Sequence, residues 1–282
     1  MTKILITGAK GQLGTELCHL LDEEGITYSA FDSHELDITD ETMVKQRFDE
    51  VDPDVVFHCA AYTAVDKAED EAKDLNWSVN ETGTKNVAQA AKDHDATLVY
   101  ISTDYVFDGT NTEEYQTTDP TNPKNEYGKA KLAGEEIVKK IMDKYYIIRT
   151  SWVFGQYGGN FVYTMLRLAK THDHLTVVND QIGRPTWTRT LAEFMLYAYQ
   201  HQLDYGIYQL SNDGECSWYD FAKEILQDED ITVSPVTSAE YPQKAYRPRH
   251  SVMSLDKAKA SGFEIPSWQD ALASFQKNVS QR

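Results

Sequence analysis

Near its amino terminus the chain runs Ile4-Leu5-Ile6-Thr7 straight into Gly8-Ala9-Lys10-Gly11-Gln12-Leu13-Gly14, and an amphipathic pattern follows with Leu13, Leu17, Leu20 and Leu21 on one face. A short apolar run, a turn with glycines spaced three and three, and a helix together make a strand-turn-helix start. In such a turn the backbone N–H groups and the positive end of the helix dipole converge on one spot, which suits a dinucleotide pyrophosphate. The glycines permit the tight turn, the close approach of phosphates and the close packing of helix on strand. A glycine turn also serves purely structural ends, so its meaning depends on what the rest of the chain supplies.

Apolar runs at residues 3–7, 28–31, 55–57, 97–101 and 145–149 alternate with helical patterns at about 12–24, 39–50, 76–93 and 127–142. That alternation predicts a Rossmann-type α/β fold, a doubly wound parallel sheet with ligands at the carboxyl ends of its strands. Residues 108–126 are polar, contain Pro120 and Pro123, and read as a surface loop. After Thr150 the rhythm changes. Helices are expected at 160–169 and 189–199, strands at 176–178 and 208–210, and helix starts at Ser217 and Ser267, each followed three residues later by Asp as in a capping box. The reading is a dinucleotide-binding domain over residues 1–150 and a smaller α/β lobe over 151–282, partly interleaved with the first.

Charge narrows the partners. A formal net charge of −18 repels nucleic acid backbones and anionic membrane surfaces, so neither is expected as a partner. Any phosphate ligand must then be held by local features. No stretch approaches the ~18 uninterrupted apolar residues of a membrane span. Cys18, Cys59 and Cys216 are too scattered for a disulfide framework or a zinc site and point to a reducing compartment. Met1-Thr2-Lys3 leads directly into the first strand without the apolar core of a secretory signal, so a cytoplasmic location is expected.

Tyr127 and Lys131 lie four residues apart at the start of a predicted helix, which puts both on one face. A free phenol titrates near ~10, and a nearby ammonium favours its ionised form, so the pair can deliver a proton to an alkoxide at neutral pH. Alone, such a pair describes many solvated helix faces. Ser102-Thr103-Asp104 changes its weight, because it ends a predicted strand 24 residues upstream of Tyr127 and offers a hydroxyl to a substrate carbonyl.

The glycine spacing and these three groups resemble the extended branch of the short-chain dehydrogenase/reductase superfamily. The resemblance implies a Ser/Thr-Tyr-Lys triad whose first member is best matched by Thr103, with Ser102 as the fallback. It also implies that Gly8, Lys10, Gly11, Gln12, Leu13, Gly14, Asp32, Asp37, Ile38, Ala60, Ala61 and Tyr62 surround a nicotinamide dinucleotide, with Tyr127 and Lys131 beside it. Asp32, at the end of the second strand, favours NADH by accepting from a ribose 2′-OH; Lys10 favours NADPH by pairing with a 2′-phosphate. The sequence leaves NADPH and NADH both open.

Four longer stretches sharpen the resemblance: residues 100–109, residues 61–69, Arg149-Thr150-Ser151-Trp152-Val153-Phe154-Gly155, and Asp180-Gln181-Ile182-Gly183-Arg184-Pro185-Thr186. Together they are similar to the dTDP-4-dehydrorhamnose reductase family. What this implies is reduction of a 4-keto group on a dTDP-sugar, for surface polysaccharide precursors, with residues 151–282 mainly binding the sugar nucleotide. Thr63, Val65, Asp104, Tyr105 and Trp152 would border the sugar; Asn160, Arg184 and Arg189 would serve the nucleotide diphosphate. Arg247-Pro248 with Ser251 and Leu255 resembles the family's C-terminal motif, though His250 stands where Asn is expected. Members dimerise with metal assistance through acidic surface residues, so Mg2+ enters as a cofactor to test, but no spacing here establishes a metal site. Monomer and homodimer both stay open.

Two other functions share this scaffold. Dehydratases of the branch carry Thr-Asp-Glu, and here Asp104 is followed by Tyr105, which counts against elimination. Epimerases keep the Tyr/Lys pair but retain NAD through turnover. A non-catalytic alternative, a nucleotide-binding regulatory subunit of methionine adenosyltransferase, is disfavoured by the intact Thr103, Tyr127 and Lys131.

Overall fold

Five strands from the first half of the chain, β1 (Ile4–Thr7), β2 (Ser29–Phe31), β3 (Val55–His58), β4 (Thr97–Thr103) and β5 (Tyr145–Thr150), lie side by side in parallel in a computed structural model that describes residues 2–280. β1 and β3 are apolar almost throughout and buried at every position. Strands covered on both faces read this way, as continuous apolar runs without polar alternation. The chain passes from β1 outward to β2 and then back across to β3, giving the order β5-β4-β3-β1-β2 for these five. The order reverses between β1 and β3, and the crevice outside their carboxyl ends is where such sheets hold ligands.

Helices cover both faces. α1 (Gln12–Glu23) lies on one, with Leu17, Leu20 and Leu21 in the core. α2 (Glu41–Val51), α3 (Lys73–Trp77), α4 (Thr84–Asp93) and α5 (Glu126–Ile141) follow, and Phe48, Val87, Ala91 and Val138 pack on the opposite face. Each fully buried side chain of Phe or Val size contributes about 1.5–3 kcal/mol. Helix starts follow local chemistry: the Asp40 carboxylate accepts from Thr42 N and Met43 N at 2.9 and 3.1 Å, and the Asn125 side chain accepts from Gly128 N at 2.7 Å.

The single helix expected over 76–93 is instead three pieces, α3, a π-helical stretch Ser78–Gly83, and α4. The widened turn seats two contacts that apolar periodicity does not report. The Asn80 amide bonds both backbone groups of Tyr62, and Gly83 abuts Ile38 so closely that a Cβ would fall 2.6 Å from Cδ1.

Beyond β5 the chain forms β6 (Val153–Phe154), α6 (Phe161–Ala169), β7 (His174–Val178), β8 (Ile182–Gly183) and β9 (Thr186–Trp187). It then re-enters the large layer. α7 (Thr188–Gln200) packs against α1 through Leu191, Phe194 and Met195, and β10 (Gly206–Gln209) adds to β5 in parallel as the sixth strand. β11 (Cys216–Ser217), α8 (Trp218–Ile225), β12 (Thr232–Val236), α9 (Asp256–Ala260) and α10 (Trp268–Ser280) complete the chain. Phe154, Val162, Met165, Phe221 and Phe275 form the smaller lobe's core. β12, which carries Pro235 and little apolar alternation, pairs with β7 at the edge, where a proline is tolerated. Among the described residues no helix is long and apolar enough to cross a membrane.

Candidate active site

Gly8 ends β1 at φ +67°, and a Cβ there would lie 2.6 Å from Ala60 N, so the glycine turn and the turn after β3 touch through bare backbone. Gly14 sits inside α1 directly over the Gly8 carbonyl, where any side chain would collide. Gly11 N donates to Gly8 O at 2.9 Å and closes the loop. The result is a shallow cradle of N–H groups at a helix start, which fits a diphosphate. Leu13 packs on the core beneath it, while Gln12 reaches across to the second lobe, accepting from Asn160 Nδ2 at 3.0 Å.

Lys10 and Asp32 are joined by a direct ion pair. Asp32 also accepts from His34 N and Glu35 N at 2.8 and 3.1 Å; the Lys10 ammonium first, then the His34 N–H, hold its carboxyl down at about 2. The Lys10 side chain stays 78% exposed, so it can swing to another anion while Asp32 keeps its backbone donors. Asp37 is exposed and accepts from Thr39, and Ile38 is buried against Gly83. Ala61 and Thr63 are exposed after β3, with Val65 half-buried.

The pleat of β4 decides between the two hydroxyls. Ser102 turns inward and donates to Glu135 Oε1 at 2.6 Å, within a buried ion pair between Glu135 and Arg149. Thr103 therefore takes the opposite side, at the strand's carboxyl end, where it accepts from Tyr105 N at 3.2 Å, donates to Asp104 Oδ1 at 3.1 Å and lies close to the Tyr127 phenol. Tyr127, one residue into α5, meets the Tyr105 ring edge-on with centroids 6.0 Å apart. Burial pushes its phenol well above the ordinary tyrosine range; the Asp104 charge adds to that and the Thr103 hydrogen bond opposes it.

Lys131 lies on the same face of α5, 2% exposed, but its Nζ sits over the Tyr100 ring, 4.2 Å from the centroid. Burial lowers its pKa to about 7, against the pull of Glu135. Stabilisation of the Tyr127 phenolate by this ammonium, expected from the sequence, is thus not what dominates the phenol here; desolvation is. An anionic ligand arriving at the cradle would raise the lysine again.

A cleft of about 410 Å³ opens beside Tyr105, lined also by Phe161, Val177, Gln181, Trp218 and Arg247. Over it runs a strap, residues 245–254, tied down by Ala245 N to Asp66 (2.9 Å), by Asn125 to Tyr246 O (2.9 Å) and by Ser251 N to Ile182 O (2.9 Å). Arg247 donates to Asp66 at 2.9 Å, lies over the Tyr105 ring, and keeps Nη1 buried without a partner. A second cavity, about 600 Å³, lies at the amino ends of the strands near Asp54 and Lys144, away from all of these groups.

The residues expected around the substrate divide. Tyr105 faces the cleft, and Asp104 is buried behind Thr103. Trp152 adopts φ +47°, rare for a bulky residue, and its ring stacks on that of Trp218, which lines the cleft, with centroids 3.7 Å apart. Asn160 caps α6 through Tyr163 N and donates to Gly155 O and Gln12. The arginines expected at a diphosphate are committed elsewhere. Arg184 donates to Gly214 O, Met253 O and Glu114, and Arg189 is held by Glu16, Glu23 and Glu193. Arg247, which the sequence flagged only as part of a motif, keeps a buried donor without a partner beside the cleft. Asn80 was missed because nothing in helical periodicity marks an amide that braces a distant turn. Among the described residues no cluster of three or more His, Cys, Asp or Glu is arranged to hold a metal ion.

Comparison with known proteins agrees with this geometry. The family model for the RmlD substrate binding domain matches residues 1–281. The dTDP-4-dehydrorhamnose reductase of Aggregatibacter actinomycetemcomitans is 42% identical, over 96% of this chain and 97% of that protein. The spore coat polysaccharide biosynthesis protein SpsK of Bacillus subtilis is also 42% identical, over 98% and 97%. The crystal structure of the dTDP-4-dehydrorhamnose reductase of Bacillus anthracis, in complex with NADP, superposes with a TM-score of 0.94 at 43% identity, covering 99% of this chain and 100% of that one. Cradle, hydroxyl, phenol and lysine thus stand on a scaffold shared end to end with these enzymes, and the chain belongs to the RmlD substrate-binding-domain family, among the dTDP-4-dehydrorhamnose reductases.

Proposed function

We propose that this chain reduces the 4-keto group of dTDP-4-dehydro-L-rhamnose to give dTDP-L-rhamnose, a precursor of surface polysaccharide. The observation that carries the reading is the meeting of Thr103 and Tyr127 at the carboxyl end of β4, next to the switch-point crevice. Gly8, Gly11 and Gly14 hold a nicotinamide dinucleotide by its diphosphate, and Lys10 and Asp32 meet its adenosine ribose. When bound, NADPH or NADH supplies hydride to the carbonyl carbon. Tyr127 donates a proton to the carbonyl oxygen, Thr103 orients that oxygen, and Lys131 holds positive charge beneath. Arg247 offers its spare donor to the sugar nucleotide's diphosphate while the cleft encloses the rest.

Supplying dTDP-4-dehydro-L-rhamnose with NADPH or NADH and following loss of reduced-cofactor absorbance tests the reading. Turnover yielding dTDP-L-rhamnose is expected with at least one cofactor, and no consumption with either ends the proposal. The Lys10–Asp32 pair gives a second expected result. Replacing a charged hydrogen-bond partner shifts affinity by roughly 1.5–3 kcal/mol, about tenfold or more. Asp32→Asn should therefore move the kcat/KM ratio about tenfold toward NADPH, and Lys10→Gln should move it toward NADH. An unchanged ratio in both variants would show that neither residue reads the ribose. We place the enzyme in the cytoplasm, as a monomer or homodimer.

A further inference from the structure

We propose that His58 is a positioning residue for hydride delivery: through Thr7 and Thr84 it fixes the turn after β3, against which the dinucleotide lies, and holds it in register with the start of α5. The inference rests on the reductase function proposed above, which makes no use of this buried imidazole.

His58 ends β3 opposite Thr7, the last residue of β1, and both side chains share a sheet face with Leu5 and Val56. Thr7, His58, Thr84 and Asn80 are each 1% exposed or less. Apolar side chains would fill this layer at lower cost, since every buried polar group must find a partner. These find one another in a fixed order. Thr84 Oγ1 spends its single proton on Asn80 O, 2.8 Å away, so toward His58 Nε2, at 3.4 Å, it can only accept. The imidazole is therefore the Nε2–H tautomer, and its Nδ1 accepts from Thr7 Oγ1 at 2.7 Å. Thr7 Oγ1 in turn accepts from Ala60 N at 3.3 Å. The titratable groups facing the imidazole are Tyr100, its ring centroid 5.7 Å away, and Lys131. Burial, with the Lys131 charge pressing the same way, holds the His58 pKa down at about 3, so the ring stays neutral.

A histidine that merely filled the core could end such a chain anywhere. Here both ends return to one turn. Ala60 N is the first end; at the other, the Asn80 side chain bonds Tyr62 N and O at 3.1 and 2.9 Å. Among the described residues no backbone–backbone hydrogen bond outside the regular elements holds residues 60–62, so these side chains supply what the backbone does not. The turn abuts Gly8 of the cradle, where a Cβ would come within 2.6 Å of Ala60 N. From Asn80 the bonds run on to Asn76 Oδ1 at 2.8 Å, and from Asn76 Nδ2 to Glu126 O at 3.0 Å, one residue before Tyr127. One frame thus spans the seat of the hydride carrier and the proton donor, and a misplacement of about 1 Å between reacting groups can cost about 10²-fold in rate.

Thr7→Val and Thr84→Val keep the side-chain shape and delete one link each. Thr7→Val should quicken amide exchange at Ala60 in the ligand-free protein about three- to tenfold, the worth of one neutral hydrogen bond, and raise the Kd for NADPH or NADH by a similar factor. Thr84→Val, which leaves Ala60 and Tyr62 their own partners, should raise that Kd as well, because the frame acts as a unit. In both, kcat should fall at least as much while the sugar KM stays nearly unchanged. His58→Phe should show the largest effect, and His58→Gln, which keeps one donor and one acceptor, should recover part of it. Long-range 1H–15N spectra of the ligand-free protein should show a neutral Nε2–H imidazole from about pH 5 to 8.

Lower thermal stability in these variants, with dinucleotide affinity and Ala60 exchange unchanged, would make His58 core packing alone and overturn the proposal. An Nδ1–H or charged imidazole would overturn it too. Weakened dinucleotide binding in variants of a protein that turns over no sugar nucleotide would keep the frame and end the reductase reading. A wild type that binds no dinucleotide ends both.

Discussion

Tyr127→Phe is expected to lower kcat by about 10²–10⁴-fold, the range associated with a positioned general acid, while dinucleotide affinity stays within about twofold. The substitution removes one oxygen and little else. The ring keeps its edge-on contact with Tyr105, and the Asn125 cap on Gly128 that starts α5 is untouched. What disappears is the O–H that lies close to Thr103 at the end of β4. A uniform loss of binding would raise KM with kcat preserved, whereas loss of a proton donor falls on kcat. Steady-state rates with the 4-keto sugar nucleotide, alongside dinucleotide binding by fluorescence, separate the two. Full activity in Tyr127→Phe would remove the phenol from the mechanism.

The second large effect lies behind the site. Glu135 is fully buried in α5 and accepts from Arg149 at 2.7 and 2.9 Å and from Ser102 at 2.6 Å. Glu135→Gln strands a guanidinium that is only 2% exposed, and breaking a buried pair from one side costs about 3–5 kcal/mol. Removing both charges as Glu135→Met with Arg149→Met should recover much of that loss, since a buried pair roughly offsets its own desolvation. Urea denaturation of the single and double variants measures the difference. A single variant within about 1 kcal/mol of wild type would mean water or a relaxed side chain compensates Arg149, contrary to the packing described. Because Glu135 also supports the charge on Lys131, the surviving fraction of Glu135→Gln should hold that lysine neutral to lower pH.

The two variants also show how unevenly the site could be read from sequence. Tyr127 and Lys131 were visible because spacing along a helix is a local property, and the Gly8 turn because strand, glycines and helix are contiguous. The resemblance preferred Thr103 to Ser102, but no local pattern gave the reason, since both are hydroxyls and only the strand's pleat, with Glu135 waiting on one side, separates them. Arg184 and Arg189 looked available because a sequence shows charge but not partners. Both are spent on carboxylates and carbonyls brought in from as far away as Glu16 and Met253. Arg247 had no better local signature than either, yet the strap leaves it one unbonded donor beside the cleft. The π-helical turn at Ser78–Gly83 escaped for the same reason, because Asn80 answers to Tyr62 across the fold rather than to its helical neighbours.

By itself, the sequence determined the layered α/β architecture, the glycine turn after the first strand, the placing of Tyr127 and Lys131 on one helix face and, through its longer motifs, the family. Each of these is encoded by periodicity, glycine stereochemistry or contiguous residues, which act within a few positions of one another. Only the tertiary structure decided that α7 and β10 return to complete the main sheet, that Ser102 is drawn inward to Glu135, that Arg247 keeps an unpartnered nitrogen beside the cleft, and that Asp104 lies buried next to Thr103. Those outcomes depend on desolvation and on partners drawn from distant segments, so no local pattern carries them.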